Sequence, residues 1–161
     1  MAVLSIRTAG DPVLKEIAKP VLKVDKKVKR QMKDMVDTLY NAKNGIGLAA
    51  PQVGISRRMV VIDLGDETGL LQLVNPEITK KEGSQLVGEG CLSVPDFEGD
   101  VERAEYVECE YTDLTGRRMK ISTDGLLAIC LQHELDHLDG ILFTDKAVSV
   151  SPIHKDTGFE E

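Results

Sequence analysis

The chain has 161 residues, of which 42% are apolar, and this suits one domain with a sizeable core. No segment approaches the ~18 consecutive apolar residues of a membrane span, and the N-terminus lacks the basic and apolar regions of a signal peptide, so we expect a cytoplasmic protein without membrane contact. The net charge of −7 disfavours direct nucleic-acid binding, and the odd, low count of three cysteines implies no disulfide framework.

The N-terminal part of the chain predicts two helices. Asp11-Pro12 can open a short one, with Asp as the cap and Pro in the first turn. A second helix is expected from near Asp25 to about Ala42, before Asn44-Gly45 breaks the pattern. Five apolar side chains share one stripe of this helix: Val28, Met32, Met35, Val36 and Leu39.

The pattern changes to strands from Arg58 to about Ser122. Apolar runs occupy residues 59–63 and 70–74, and residues 106–111 alternate strictly, as in a half-buried strand. Residues 113–116 then predict a hairpin turn. A final helix is expected to be capped at Asp124 and to stop near Gly140. Residues 149–161 follow as a short C-terminal tail without a clear period, whose order the pattern leaves open.

The final helix carries the motif His-Glu-x-x-His at residues 133–137. Residues four apart share a helix face, so His133 and His137 can reach one metal ion. Glu134 lies close enough to take a proton from a metal-bound water. The alternative is a helix that merely carries two histidines, but only three occur in the chain, which favours a metal site. Together these elements predict an α+β fold, with mixed or antiparallel sheets packed around this central helix.

Catalytic metal sites usually have three protein ligands and one position open to water, so a third ligand is needed. In metzincin proteases a third His would stand where this chain has Phe143, and a later Glu, as in thermolysin-like proteases, could come only from Glu160 or Glu161 in the tail. A mobile tail is a poor place for a preorganised ligand. The third ligand is therefore expected upstream of the helix.

The three cysteines differ as candidates. Cys130 is seven residues from His137, about 10.5 Å along a helix, and is expected to line a pocket instead. Cys109 belongs to the alternating strand and is expected in the core. Cys91 lies in a Gly-flanked, Pro-terminated stretch where the backbone can approach a ligand closely. Cys91, His133 and His137 are therefore the predicted metal ligands.

Three segments, at residues 45–52, 89–93 and 132–137, resemble the signature motifs of peptide deformylase and occur in that family's order. The resemblance covers nearly the whole chain to about residue 145. It implies a single catalytic domain at residues 1–148 that removes the N-formyl group from the initiator methionine of newly made proteins and releases formate. It also implies one Fe²⁺ per chain, with Ni²⁺, Co²⁺ or Zn²⁺ as substitutes.

The resemblance also assigns roles. Cys91, His133 and His137 would bind the metal, and Glu134 would act as general base and then acid while a metal-bound water attacks the formyl carbon. Gln52 would donate its side-chain amide, and Leu92 its backbone N–H, to the formyl oxygen. Ile46, Gly47 and Gly90 would bind the substrate backbone as an added strand. The methionine pocket would be lined by Ile46, Val87, Leu126, Ile129, Cys130 and His133.

Some expectations stay open at this point. Glu89 and Arg103 form either a buried pair that supports the metal site, as in family members, or an ordinary surface pair. Asp136 and Asp139 either support the site or lie on the helix surface. Many members end in a basic helix that docks on the ribosome, whereas this chain ends in a short acidic segment, so a ribosome contact by that route is doubtful. His154 is expected to face solvent.

Two alternatives to the deformylase interpretation are a metallopeptidase and a structural zinc module. Phe143 and a cysteine ligand speak against the metallopeptidase. A structural zinc site would need a fourth protein ligand, whereas Glu134 and the Gly-rich stretch favour a site open to water.

Overall fold

The computed structural model describes residues 2–42 and 45–153. Both predicted N-terminal helices are present. The first is a single 3₁₀ turn, Pro12–Lys15, whose cap Asp11 accepts a hydrogen bond from the Val13 N–H. The second is α1, Lys26–Asn41, which begins where the Asp25 carboxylate accepts from the Val28 N–H. Four of the five stripe residues of α1 are buried, and Val36 is half-buried.

Five antiparallel strands form the larger sheet: β1 (Gly47–Ala49), β2 (Met59–Asp63), β3 (Leu70–Glu82), β6 (Tyr106–Thr112) and β7 (Arg118–Asp124). They lie in the order β1-β2-β3-β6-β7. A second 3₁₀ turn, Ala50–Val53, follows β1. Adjacent strands of the predicted hairpin, β6 and β7, pair from Tyr106 with Asp124 to Thr112 with Arg118.

Strand β3 runs on past Pro76, further than its apolar run indicates. The register of its pairing with β6 shifts between Val74 and Glu77, and Asn75 adopts a φ of 49°. Such a bulge admits a proline because the ladder hydrogen bonds are already interrupted there. Asn75 Oδ1 also accepts a hydrogen bond from the Val21 N–H at 2.8 Å, and Asn75 Nδ2 donates one to Val21 O at 2.7 Å. These two bonds anchor the N-terminal segment at the bulge.

The smaller sheet has three antiparallel strands, β4 (Gln85–Cys91), β5 (Val94–Arg103) and β8 (Ser149–Pro152), in that order. Strand β8 pairs with β5 from Phe97–Pro152 to Asp100–Ser149. The first four residues of the C-terminal tail are thus a strand, which its sequence pattern did not indicate. The rest of the tail beyond Ile153, including His154, lies outside the described residues.

The last long helix, α2 (Gly125–Leu138), is central, and a short helix α3 (Phe143–Lys146) follows it. Alternate residues of β2 face opposite ways: Val60 and Ile62 join the core with α2, whereas Met59 and Val61 join the core with α1. The α1 core contains Val28, Met32, Met35 and Leu39, and the α2 core contains Leu127, Leu131, Leu135, Leu138 and Cys109.

The larger sheet is therefore covered by a helix on each face, and the predicted α+β architecture around the motif-bearing helix is confirmed. The expectation that Cys109 belongs to the core is confirmed as well, because its side chain is fully buried. Among the described residues, no helix is both long and apolar enough to cross a lipid bilayer.

Candidate active site

Helix α2 and the end of β4 bring three metal-binding atoms together. His133 Nε2 and His137 Nε2 lie 3.3 Å apart, as expected for residues on one helix face. Cys91 Sγ lies 3.3 Å from His137 Nε2, and the three ligand atoms all fall within 4.8 Å of one another. The cysteine reaches the helix because β4 ends beside it, with a register shift between Glu89 and Cys91.

The donor set fits a divalent transition metal. Ligand bonds of ~2.0–2.3 Å in tetrahedral geometry separate ligand atoms by roughly 3.3–3.8 Å, which agrees with the two short separations. One thiolate and two imidazoles suit iron, cobalt, nickel or zinc. Three protein ligands leave a fourth position free for a small molecule, which is the arrangement of a catalytic rather than a structural site.

A buried hydrogen-bonded network holds one of the histidines. Glu89 Oε1 lies 2.8 Å from His133 Nδ1. Arg103 binds both oxygens of Glu89, at 2.7 and 2.9 Å, and also binds Asp136 at 2.6 Å. The Arg103 side chain is 2% exposed and that of Glu89 is 6% exposed, so this is a buried pair and not a surface pair. Asp139 instead pairs with Arg58 at 2.9 Å and is largely exposed.

The charges of this network set the protonation of both histidines. Burial works to raise the pKa of Glu89, but hydrogen bonds from Arg103 and His133 lower that pKa to about 2. An ionised Glu89 accepts the Nδ1–H of His133. Burial opposes a charge on His133, but hydrogen bonds with Cys91 and Glu89 raise the pKa of this imidazole, so a metal at Nε2 would displace a proton. Burial, together with the charge of His133, lowers the pKa of His137 to about 3, so this imidazole is neutral at physiological pH.

Glu134 lies beside the ligands without a partner of its own. Its Oε1 is buried and makes no hydrogen bond to the described residues. Burial is the main cause that raises the pKa of the carboxyl, to about 7. A buried, unpartnered carboxylate is costly to keep and is common where a group exchanges protons with a substrate.

Gly47 has a role that its sequence context did not indicate. The family resemblance assigns Gly47 only to binding of the substrate backbone. A Cβ at Gly47 would instead lie 2.7 Å from Glu134 Oε2 and 3.2 Å from Cys130 Sγ. The space belongs to the protein's own side chains, so Gly47 makes room for the carboxylate on α2.

Gln52 is fixed with its amide N–H groups towards Cys91. Its Oε1 accepts from the Ala49 N–H at 2.9 Å, and its Nε2 donates to Ser93 Oγ at 3.1 Å. The same Nε2 lies 3.6 Å from Cys91 Sγ. The side chain is 1% exposed, so its orientation is set by these contacts. Phe143, which stands where a metzincin has its third His, is buried and stacks on the His133 ring with centroids 6.4 Å apart.

A cleft of about 490 Å³ opens over these groups. His137 does not line this cleft, since it lies behind the cleft wall and is 1% exposed. All other predicted site residues do, namely Ile46, Gly47, Gln52, Val87, Gly90, Cys91, Leu92, Leu126, Ile129, Cys130, His133 and Glu134. Five further residues line it as well: Gly45, Gly88, Glu89, Pro95 and Ile153.

Two of these additional residues were missed by sequence reasoning for different reasons. Pro95 follows the Cys91 motif by four positions, so proximity to the motif could have indicated it. Ile153 lies beyond β8 in a segment without periodicity, and no pattern in the chain indicated that it returns to the cleft.

Comparison with known proteins shows the family of this chain. A family model described as polypeptide deformylase matches residues 3–152. The chain belongs to the polypeptide deformylase family. It is therefore a metal-dependent hydrolase. The peptide deformylase of Halothermothrix orenii is 49% identical over 93% of this chain and 97% of its own length.

Solved structures of deformylases share the fold. The Synechococcus elongatus peptide deformylase in complex with actinonin superposes with a TM-score of 0.86 at 46% identity, covering 91% of this chain and 79% of that one. The Thermotoga maritima peptide deformylase gives a TM-score of 0.87 at 39% identity, covering 92% of this chain and all of that one. The predicted family is thus confirmed.

Proposed function

We propose that the protein removes the formyl group from the formyl-methionyl N-termini of newly made proteins and releases formate. The observation that carries this proposal is a buried, unpartnered Glu134 carboxylate in the same cleft as three converging metal donors. Family membership supports the same activity. The proposed domain for this reaction is residues 1–148, followed by the tail at residues 149–161.

We propose Fe²⁺ as the native metal, one per chain, held by Cys91, His133 and His137, with Ni²⁺, Co²⁺ or Zn²⁺ able to substitute. The soft thiolate and the two imidazoles accept all of these ions, so availability decides among them. When bound there, a divalent ion lowers the pKa of a water molecule and polarises a carbonyl oxygen. A thiolate beside ferrous iron is also sensitive to oxidation, which calls for anaerobic handling.

The substrate would bind in extended form between two strand edges. Strands β1 and β4 are edge strands of separate sheets, and Ile46, Gly47 and Gly90 border the cleft from these edges. A peptide added beside β4 gains backbone hydrogen bonds while its alternate side chains enter pockets. The methionine side chain would lie against the apolar lining residues Ile46, Val87, Leu126, Ile129 and Cys130, with His133 at the inner end.

The reaction steps follow from the positions of three groups. Glu134 accepts a proton from the attacking water, for which a pKa near 7 is suitable at neutral pH. As negative charge develops on the formyl oxygen, the Gln52 amide and the Leu92 backbone N–H donate hydrogen bonds to it. Glu134 then gives its proton to the leaving amine as the C–N bond breaks, and formate and the free N-terminus are released.

We propose a cytoplasmic location, where new polypeptides are made, with no direct nucleic-acid or membrane partner. A transient contact with the ribosome, where these polypeptides emerge, is a separate question.

The test is formate release from a formyl-Met-Ala-Ser peptide by anaerobic, Fe²⁺-loaded protein. Glu134→Ala should lower kcat about 10²–10⁴-fold while one metal ion per chain is retained. Cys91→Ser should lose the metal, whereas Cys109→Ala, which removes a thiol in the core, should keep it. No formate from the iron-loaded or nickel-loaded wild type would refute the proposal, and cleavage of an internal peptide bond instead would indicate a metallopeptidase.

A further inference from the structure

We propose that a groove beside the N-terminal end of α1, here called the basic groove, docks a short acidic segment of another protein that also carries a large apolar side chain. The groove is lined by residues 19–23 and 54–57 together with Asp25 and Gln31, and its volume is about 640 Å³. It shares no lining residue with the catalytic cleft.

The surface around the basic groove concentrates positive charge in an acidic protein. Residues 15–33 carry eight cationic and two acidic side chains, a net charge of +6, whereas the whole chain carries −7, which leaves −13 on the remaining residues. One of the eight cations, Lys15, pairs with Asp145 at 2.6 Å. The other seven are exposed and form no ion pair with a described residue, and two of them, Lys19 and Lys23, line the groove. A carboxylate-rich partner would supply the counter-charges that the fold itself does not provide.

A large apolar side chain projects from the same positive segment. Leu22 lines the groove and is 98% exposed. Its backbone is tethered on both sides, because the Val21 N–H donates to Asn75 Oδ1 at 2.8 Å and Asp25 caps α1. Two further apolar residues, Val21 and Ile55, line the groove as well. An apolar side chain of a partner would remove the surface of Leu22 from water.

This combination of features fits an acidic protein segment better than RNA or DNA. Phosphate groups offer no apolar group to cover Leu22. Proteins bind single-stranded nucleic acids largely by stacking bases on aromatic side chains, and residues 1–39 and 54–57 contain none. A long polyanion would also extend over the rest of the molecule and be repelled by its charge of −13. A short acidic segment is confined to the groove and its positive border.

The basic groove lies at the far end of α1 from the catalytic cleft. This helix has 16 residues and is therefore about 24 Å long. Leu39, near its C-terminal end, lies beside Gly45, which lines the cleft. A segment docked at the N-terminal end would therefore leave the cleft open to substrate.

The experiment measures binding of a fluorescein-labelled peptide, Glu-Glu-Asp-Leu-Leu-Asp-Glu-Glu, to the nickel-loaded full chain by fluorescence anisotropy. At an ionic strength of about 50 mM, where exposed charges still interact, we expect saturable binding. A peptide with Ser in place of both Leu residues should bind about 5-fold more weakly. Leu22→Ser, and separately the double variant Lys19→Gln/Lys23→Gln, should each weaken binding of the Leu peptide about 5-fold.

Two control variants match these changes outside the groove. Lys81→Gln/Arg117→Gln removes two exposed cations, and Val148→Ser removes an apolar side chain that is 67% exposed. Both controls should leave binding unchanged.

Four results would overturn the proposal: no saturable binding, equal binding of the Leu and Ser peptides, equal effects of the groove and control variants, or tighter binding of a labelled oligouridine RNA than of the Leu peptide. None of these results bears on the deformylase activity, which is tested by formate release.

Discussion

Two groups of buried polar side chains meet on one turn of α2, and they differ in whether their hydrogen bonds are made. The support network, Glu89, Arg103 and Asp136, binds itself and His133 through contacts of 2.6–2.9 Å. The reactive pair, Glu134 and His137, has Oε1 and Nδ1 buried without a partner among the described residues. An unmade hydrogen bond lowers stability by about 1–3 kcal/mol per group. The fold thus satisfies the residues that position the site and leaves Glu134, the proposed proton carrier, with free bonding capacity.

Breaking the support network should have the largest effect on stability. Arg103→Met keeps the bulk but leaves Glu89 buried without its cation and Asp136 with Lys146 alone, so the free energy of unfolding should fall by about 3–5 kcal/mol. Urea unfolding of the metal-free protein measures this. Glu134→Gln, in the reactive pair, should change the same free energy by less than about 1 kcal/mol, because no ion pair is lost. Equal losses in the two variants would contradict the distinction between the groups.

A smaller effect is expected when one member of the network is changed without loss of shape. Glu89→Gln retains an oxygen near His133 Nδ1 but removes the charge that fixes the histidine tautomer. Metal affinity should fall about 10- to 100-fold, as measured by chelator competition. Asp139→Asn is the control, since Asp139 is an exposed residue at the end of the same helix, and it should leave metal affinity unchanged. A comparable loss in both variants would show that Glu89 acts only through general negative charge.

Gly47→Ala should lower stability less than Arg103→Met does, because it only crowds the Glu134 side chain. The new methyl group would lie 2.7 Å from Glu134 Oε2, and we expect a loss of about 1–3 kcal/mol in unfolding free energy. In a Glu134→Ala background this loss should shrink by roughly half, because only Cys130 Sγ at 3.2 Å still crowds the methyl group. A double-mutant cycle measures the coupling, and strictly additive effects would mean that the carboxylate does not occupy the space next to Gly47.

Helix periodicity was sufficient to bring His133 and His137 together, because their spacing alone places both on one face of α2. Elimination among the three cysteines pointed to Cys91, and the structure puts its Sγ beside them. The assignments of Gln52 and Leu92 needed the family resemblance, because neither residue type nor spacing marks them. These site residues could be predicted because helix periodicity and family motifs are visible in the sequence itself.

Other features of the site depend on strand register, which cannot be read from the residue pattern along the chain. Glu89 and Arg103 meet because β4 and β5 pair Gln85 with Arg103 and Glu89 with Gly99, which sets the two side chains within reach across the hairpin. Strand pairing likewise determines which side chains lie where a Cβ of Gly47 would be. The pairing of β8 with β5 brings Ile153 back to the cleft. A four-residue strand carries too little alternation to be recognised.

The separation of the metal donors along the chain couples metal loading to folding. Cys91 and His137 are 46 positions apart, so an unfolded chain that held one ion with both would have to close a loop at an entropic cost of roughly 3 kcal/mol. The folded chain has already closed that loop. An ion that prefers the folded state by this margin shifts the folding equilibrium with its concentration, by about 2.7 kcal/mol at a hundred times its dissociation constant. The supply of free metal would therefore change the stability of the folded chain as well as the occupancy of the site.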